Sequence, residues 1–222
     1  MLRTIKEIKG VLPVANNNQR NWDLSKPIPD EHLQLFKQVV YESPRQENNT
    51  YYNVHFITNR ELIENIYENT EGSGPASSHP AWGNATPRGD DDIKEPQVLS
   101  NLLVIFEENI DHGQLTGYMD DVGESLREEI ERDKFLAMGN AAGMLVAYAI
   151  QLGYKTGYNI CLNDENRMTI EHIMELDNKP SYMVSIGHGN EGVDHKRHHK
   201  DHSIKYGKFG RITPLGKIKV WE

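Results

Sequence analysis

The residues with the most chemical capacity lie near the end of the chain, where GHGNEGVDHKRHHKDH holds His188, His195, His198, His199 and His202 among Lys196, Arg197 and Lys200. On a helix, His195 with His199 and His198 with His202 would form i, i+4 pairs suited to a divalent metal. Gly189, Asn190 and Gly192 favour a loop instead, and three neighbouring cations oppose a further positive charge. A basic loop that receives an anion fits this composition better; a solvated charged loop is the plain alternative. Two other stretches are also rich in polar groups. Asn16-Asn17-Asn18-Gln19-Arg20-Asn21 gathers amide groups around one arginine, beside Trp22, and Arg45-Gln46-Glu47-Asn48-Asn49-Thr50 leads into an apolar segment. On its residues alone the first reads as a solvated turn, and the second as a polar loop at a junction favourable to ligands.

These segments need elements to position them. Phe135 to Leu152 has only Asn140 and Gln151 as plainly polar residues, which predicts a helix buried all round. Gly139, Gly143 and the charged run from Arg127 to Lys134 argue against a membrane span and for the central helix of a soluble core. Its small residues, Ala137, Gly139, Ala141, Ala142, Gly143 and Ala147, would admit another backbone at close range, from the same chain or a second subunit; plain interior packing explains them too. Gly153 is placed to cap this helix, and Tyr154 to Cys161 reads as a strand leaving a buried layer.

Earlier in the chain, Thr4 to Leu12 has helical spacing that Pro13 ends or kinks. Pro27-Ile28-Pro29-Asp30-Glu31 begins a helix capped by Asp30, with Leu33, Phe36, Val39 and Val40 inward. Tyr51 to Thr58 predicts a strand and Asn59 to Tyr67 a helix, while Val98 to Phe106 is the clearest buried strand. Met119 to Ile130 predicts an amphipathic helix leading up to the central one. Met168 to Leu176 is helical in pattern, and Tyr182 to Gly187 is a last core strand. Gly72 to Asp92, rich in Gly, Pro, Ser and Asp, reads as a surface excursion, either a floppy loop or a lid.

The 222 residues suit one α+β domain, residues 1–222, able to bury a core without staples. A net charge of −9 argues against a general nucleic-acid binder. The single cysteine, Cys161, excludes an internal disulfide framework. With no secretory signal visible at the N-terminus, a reducing, cytoplasmic setting is the expectation.

Taken in order, these features resemble the FMN-dependent nitroreductase family. The resemblance rests on the Asn16–Arg20 elbow with Trp22, the Pro-Ile-Pro-Asp-Glu helix start, and Ser43-Pro44-Arg45-Gln46-Glu47-Asn48 before a strand. It continues through the buried helix with Leu152-Gly153-Tyr154-Lys155-Thr156-Gly157-Tyr158, and through Val184-Ser185-Ile186-Gly187 followed by a basic loop. It covers nearly the whole chain apart from residues 72–92. The resemblance implies an α+β fold with a central, mostly antiparallel sheet flanked by helices, and the long helix at a dimer interface.

It further implies an FMN-dependent oxidoreductase that passes hydride from NAD(P)H to a nitroaromatic, quinone or similar acceptor, as a homodimer with FMN at the subunit interface; the net charge and the central helix's residues separately lead to the expectation of no nucleic-acid and no membrane partner. By position, Asn16, Asn17, Asn18 and Arg20 would hold the FMN phosphate and ribityl chain, with Arg197 and His199, or alternatively Lys196, from the basic loop. The family usually has arginine at the position of Asn16 and serine at that of Asn18, so one cation is missing; Arg45, where serine is more usual, is the candidate replacement. Asn48 and Thr50 would reach the flavin ring and ribityl, with Gln46 and Glu47 contributing backbone groups. Thr156, Gly157, Tyr158 and Asn159 would line the other side of the ring. No Ser-His-Asp or Cys-His constellation is needed, because the chemistry belongs to the cofactor. A flavin-binding module without turnover and a metal-binding protein using the 188–202 loop remain as alternatives.

Overall fold

Leu102–Glu108, here β2, runs through the middle of the molecule, with Leu102 to Phe106 fully buried. A strand that is apolar on both faces needs cover on both. The computed structural model describes residues 5–7, 9–10, 22–45, 51–70, 95, 97–109, 124–159, 162 and 164–190, and shows how that cover is supplied. β2 pairs antiparallel with β1 (Tyr52–Ile57) on one side and β4 (Pro180–Gly187) on the other. Beyond β4 lies β3 (Lys155–Asn159), also antiparallel, giving the order β1-β2-β4-β3.

The helices that cover the sheet, among the described residues, are α1 (Asp30–Tyr41), α2 (Arg60–Glu68), α3 (Glu124–Gln151) and α4 (Asp164–Met174). One sheet face presents Leu102, Val104, Phe106, Val184 and Ile186 to α1 and α3, which contribute Phe36, Val40, Ala141, Leu145 and Ala149 among others. The opposite face presents Ile57, Leu103, Ile105 and Met183 to Ile63 and Ile66 of α2 and Ile170 of α4. A row of aromatic rings crosses the first face through Tyr52, Phe106, Tyr182 and Tyr158, with neighbouring centroids 5.5, 6.0 and 5.6 Å apart. Such cross-strand pairs stabilise register as well as burying area.

Several boundaries differ from the sequence reading for physical reasons. Val98 is buried in the core but belongs to a turn, closed by Val98 N–H donating to Glu95 O (3.1 Å), so the strand starts at Leu102. Arg60 holds that turn to α2 by donating to the carbonyls of Leu99 and Ser100, both at 3.2 Å. Asp30 does not cap α1: Pro29 occupies that position, and Asp30 and Glu31 in the first turn meet the positive end of the helix dipole. The central helix is continuous from Glu124, so residues 124–130 of the expected amphipathic segment are its first part, and residues 119–123 lie outside the described residues.

The central helix is also not buried all round. Ala137, Met138, Ala141, Ala142, Leu145, Val146, Ala149 and Ile150 face the sheet and α1, whereas Phe135, Leu136, Gly139, Gly143, Ala147 and Tyr148 are exposed. None of the described helices is long and apolar enough to cross a membrane.

Candidate functional site

At one corner of the sheet the chain before α1 meets the chain after β4. Trp22 and Gly189 form an isolated antiparallel bridge, and Asp23 N–H donates to His188 O at 2.7 Å. The amide-rich segment therefore joins the described body beside the point where the basic, histidine-rich segment leaves it. Asn101 lies between them: its Nδ2 donates to Asp23 O (2.8 Å) and Lys26 O (2.9 Å), and its Oδ1 accepts from His188 N–H (3.0 Å). Gly187 makes room for this packing, since a Cβ there would collide with Asn101 Oδ1 and come within 3.0 Å of the Trp22 ring.

β3 forms the wall of the same corner. Lys155 pairs with Gly187, Thr156 with Ile186, Gly157 with Ser185, Tyr158 with Val184 and Asn159 with Met183. Thr156, Gly157 and Asn159 are buried and Tyr158 half-buried. Because β3 is the outermost strand of the described sheet, alternate N–H and C=O groups along it point away from β4. Gly153 sets the entry to this strand with φ 91°: Gly153 N–H donates to Ile150 O (3.1 Å) and Tyr154 N–H to Ala149 O (3.0 Å), both closing the end of α3.

Tyr154 then joins three elements. Its hydroxyl is 2.7 Å from His32 Nδ1 on α1, its ring meets Phe36, and the His188 ring lies 5.0 Å away by centroid. Burial and the neighbouring Lys26 and His32 charges hold the His188 imidazole below its ordinary pKa, against the opposing pull of Asp23. Asp23 itself is drawn down to about 2 by hydrogen bonds from Lys26 and Ser25. The corner thus keeps the Asp23 carboxylate paired and His188 biased towards neutrality.

Of the sequence-derived site residues, Thr156, Gly157, Tyr158 and Asn159 adjoin this corner. Arg45 does not. Its guanidinium sits 5.8 Å from the Tyr41 ring centroid, near the first residue of β1, at the opposite end of the sheet. With about 3.4 Å per strand residue, that is roughly 20 Å from the Trp22–Gly189 bridge. Asn140 of α3 anchors the turn before it by donating to Pro44 O at 3.2 Å, next to the exposed Gly139 and Gly143. Asn16, Asn17, Asn18, Arg20, Gln46, Glu47, Asn48, Thr50, Lys196, Arg197 and His199 lie outside the described residues. Among the described residues no three His, Cys, Asp or Glu side chains are grouped to hold a metal ion.

Two features had no signal in the sequence reading. Asn101 lies within the apolar run Val98 to Phe106, whose pattern predicts strand throughout. A second polar cluster surrounds Glu107, whose buried carboxylate accepts from His55 Nε2 (2.8 Å), Asn53 Nδ2 (3.2 Å) and Asn178 N–H (2.7 Å). It lies on the α2 and α4 face at the far end of the sheet from the corner.

No family model matches the sequence, and no curated protein does. Solved structures do resemble it. Nitroreductase A from Vibrio parahaemolyticus superposes with a TM-score of 0.60 at 13% identity, over 86% of this chain and 71% of that one. The hypothetical oxidoreductase YcnD from Bacillus subtilis gives 0.58 at 18%, over 84% and 67%. NADPH:FMN oxidoreductase from Vibrio harveyi, complexed with NAD+, gives 0.57 at 14%, over 81% and 67%. At such identities the likeness establishes the fold, and the fold is nitroreductase-like.

Proposed function

We propose that this chain is an FMN-dependent oxidoreductase using NAD(P)H, with two flavin sites built across a homodimer. The observation that carries the reading is the corner itself: the amide-rich elbow and the basic segment are rooted at adjacent residues, Trp22 and Gly189, beside the open edge of β3. This suits a ligand with an anionic end and a flat, hydrogen-bonding end. On this reading Asn16, Asn17, Asn18, Arg20, Arg197 and His199 hold the phosphate and ribityl chain, and Thr156 to Asn159 line the ring through backbone groups. FMN bound there supplies acceptance of hydride at N5 and its delivery to a second substrate. The chain orients the ring, and the buried side chains Thr156 and Asn159 stiffen the strand it lies against.

The distance of Arg45 from the corner supports a dimer. Its loop leaves the body next to the exposed small residues of α3, so it would serve the partner's ring together with Gln46, Glu47, Asn48 and Thr50. Among the described residues, nothing beyond their own stretch of helix lies within 4 Å of a Cβ built on Gly139 or Gly143, although a mid-helix glycine costs roughly 1 kcal/mol relative to alanine. Close approach of a second backbone gives those glycines a purpose.

The test is titration of purified protein with FMN, followed by steady-state oxidation of NADH and NADPH with a nitroaromatic or quinone acceptor. Flavin absorbance changes on binding and turnover dependent on both substrates are expected. Failure to bind FMN, riboflavin or FAD overturns the reading. Tight binding without turnover would leave a flavin module in place of an enzyme.

A further inference from the structure

The contact between the chain before α1 and the chain after β4 passes through a titratable residue, and we infer that His188 makes it sensitive to pH: protonation of the His188 imidazole loosens this corner. The backbone of His188 is engaged on both sides. Its N–H donates to Asn101 Oδ1 at 3.0 Å and its carbonyl accepts from Asp23 N–H at 2.7 Å, next to the Trp22–Gly189 bridge. Its half-buried ring packs edge-on against buried Tyr154, with centroids 5.0 Å apart. A ring forced off Tyr154 therefore strains both backbone bonds.

The surroundings suit the neutral ring and not the cation. An imidazolium donates from both nitrogens, and among the described residues neither ring nitrogen of His188 has a hydrogen-bond partner. Charged and titratable groups reach it from three elements: Lys26 and Asp23 from the chain before α1, His32 from α1, and Tyr154 from the chain entering β3. Asp23 is the favourable charge, but Lys26 Nζ at 2.8 Å and Ser25 Oγ at 2.6 Å already engage its carboxylate. His32 Nδ1 lies 2.7 Å from the Tyr154 hydroxyl, and Glu31 is 3.9 Å from its other nitrogen, so a proton on His32 adds positive charge to the same group. Burial first, then Lys26 and His32, accordingly hold the His188 imidazole below its ordinary pKa. A base that takes its proton less readily in the closed corner than in the open one favours opening as pH falls below the ordinary histidine value of about 6.5. Above that value the neutral ring leaves the corner closed.

Amide hydrogen exchange, followed by NMR on the intact protein, reads the two backbone bonds directly. Protection of the Asp23 and His188 amides, corrected for the intrinsic pH dependence of exchange and referred to Val104 and Ile105 in β2, is compared at about pH 7.5 and 5.5. In the wild type it should fall about threefold or more in acid. His188→Phe keeps an aromatic ring beside Tyr154 but takes up no proton, and its protection at both positions should not change with pH. The measurement needs no ligand, so its outcome is independent of the flavin reading. Equal protection at the two pH values in the wild type overturns the inference. So does an acid loss that survives in His188→Phe, which would assign the effect to another group. If His188→Phe does not fold, the ring resonances of wild-type His188 decide, and a titration midpoint at or above the ordinary histidine value overturns the inference.

Discussion

Glu107 illustrates how a single side chain can be set by its donors. Burial alone would push its carboxyl up, yet the hydrogen bonds from His55, Asn178 N–H and Asn53 outweigh that and hold its pKa below the ordinary glutamate value. A depressed folded-state pKa stabilises the fold above the unfolded value, and the contribution is lost as pH falls through the folded value. Glu107 should therefore contribute fully above about pH 4.3 and progressively less in more acid solution. Thermal melts of wild type and Glu107→Gln between about pH 3 and 7 should diverge most at the neutral end and converge on acidification; a constant gap would mean that the charge is irrelevant. At the cofactor site, Arg20→Ala should weaken FMN by roughly ten- to a hundredfold and riboflavin far less, since a hydrogen bond to a charged group contributes about 1.5–3 kcal/mol. Isothermal titration with both ligands checks this, and equal losses would remove Arg20 from the phosphate site. Arg20 stood out in the sequence as a lone cation among amides. Asn101 and Glu107 did not, because their roles depend on Asp23, His188, His55 and Asn178, whose proximity arises only when strands distant in sequence pair.

At the level of elements, the ends of α3 and α4 show the same backbone solution reached with different residues. Gly153 adopts φ 91° after α3, whereas Glu175 adopts φ 52° after α4, with Leu176 N–H donating to Glu171 O at 2.9 Å. The left-handed region costs a residue with a Cβ about 1–2 kcal/mol. Gly153→Ala, which meets no neighbouring atom within 4 Å, should thus lower the melting temperature by roughly 2–8 °C, through backbone strain alone. Glu175→Gly should raise it, by less, because glycine also loses more chain entropy on folding. Differential scanning calorimetry reads both signs, and a neutral Gly153→Ala would count against strain at that cap. Gly153 was legible as a cap because it follows a long apolar run; Glu175 carries no such signal. The same apolar run misled in another respect. Hydropathy distinguishes dry from wet, so it cannot separate the face of α3 that meets the sheet from the exposed face carrying Leu136, Gly143 and Tyr148.

For the whole molecule, the exposed face of α3 and the remoteness of Arg45 from the corner lead to one expectation. Phe135, Leu136 and Tyr148 are 56%, 57% and 41% exposed, an apolar cost in water that a second copy would remove. The protein should therefore sediment at twice its 25.4 kDa chain mass at micromolar concentration. Gly143→Arg provides the decisive variant. In an isolated chain the substitution meets open space and replaces a poor helix former by a good one, so the fold should be kept or strengthened by up to about 1 kcal/mol. Across a closely packed interface the same side chain would bury an unpaired charge, and dimerisation should fail. If each site needs the partner's 45–50 loop, FMN affinity should fall together with the dimer while circular dichroism remains that of the folded chain. A Gly143→Arg protein that stays dimeric would move the interface away from this face of α3. A folded monomer that binds FMN as tightly as the wild type would show that one chain builds the site alone, and Arg45 would then have no part in it.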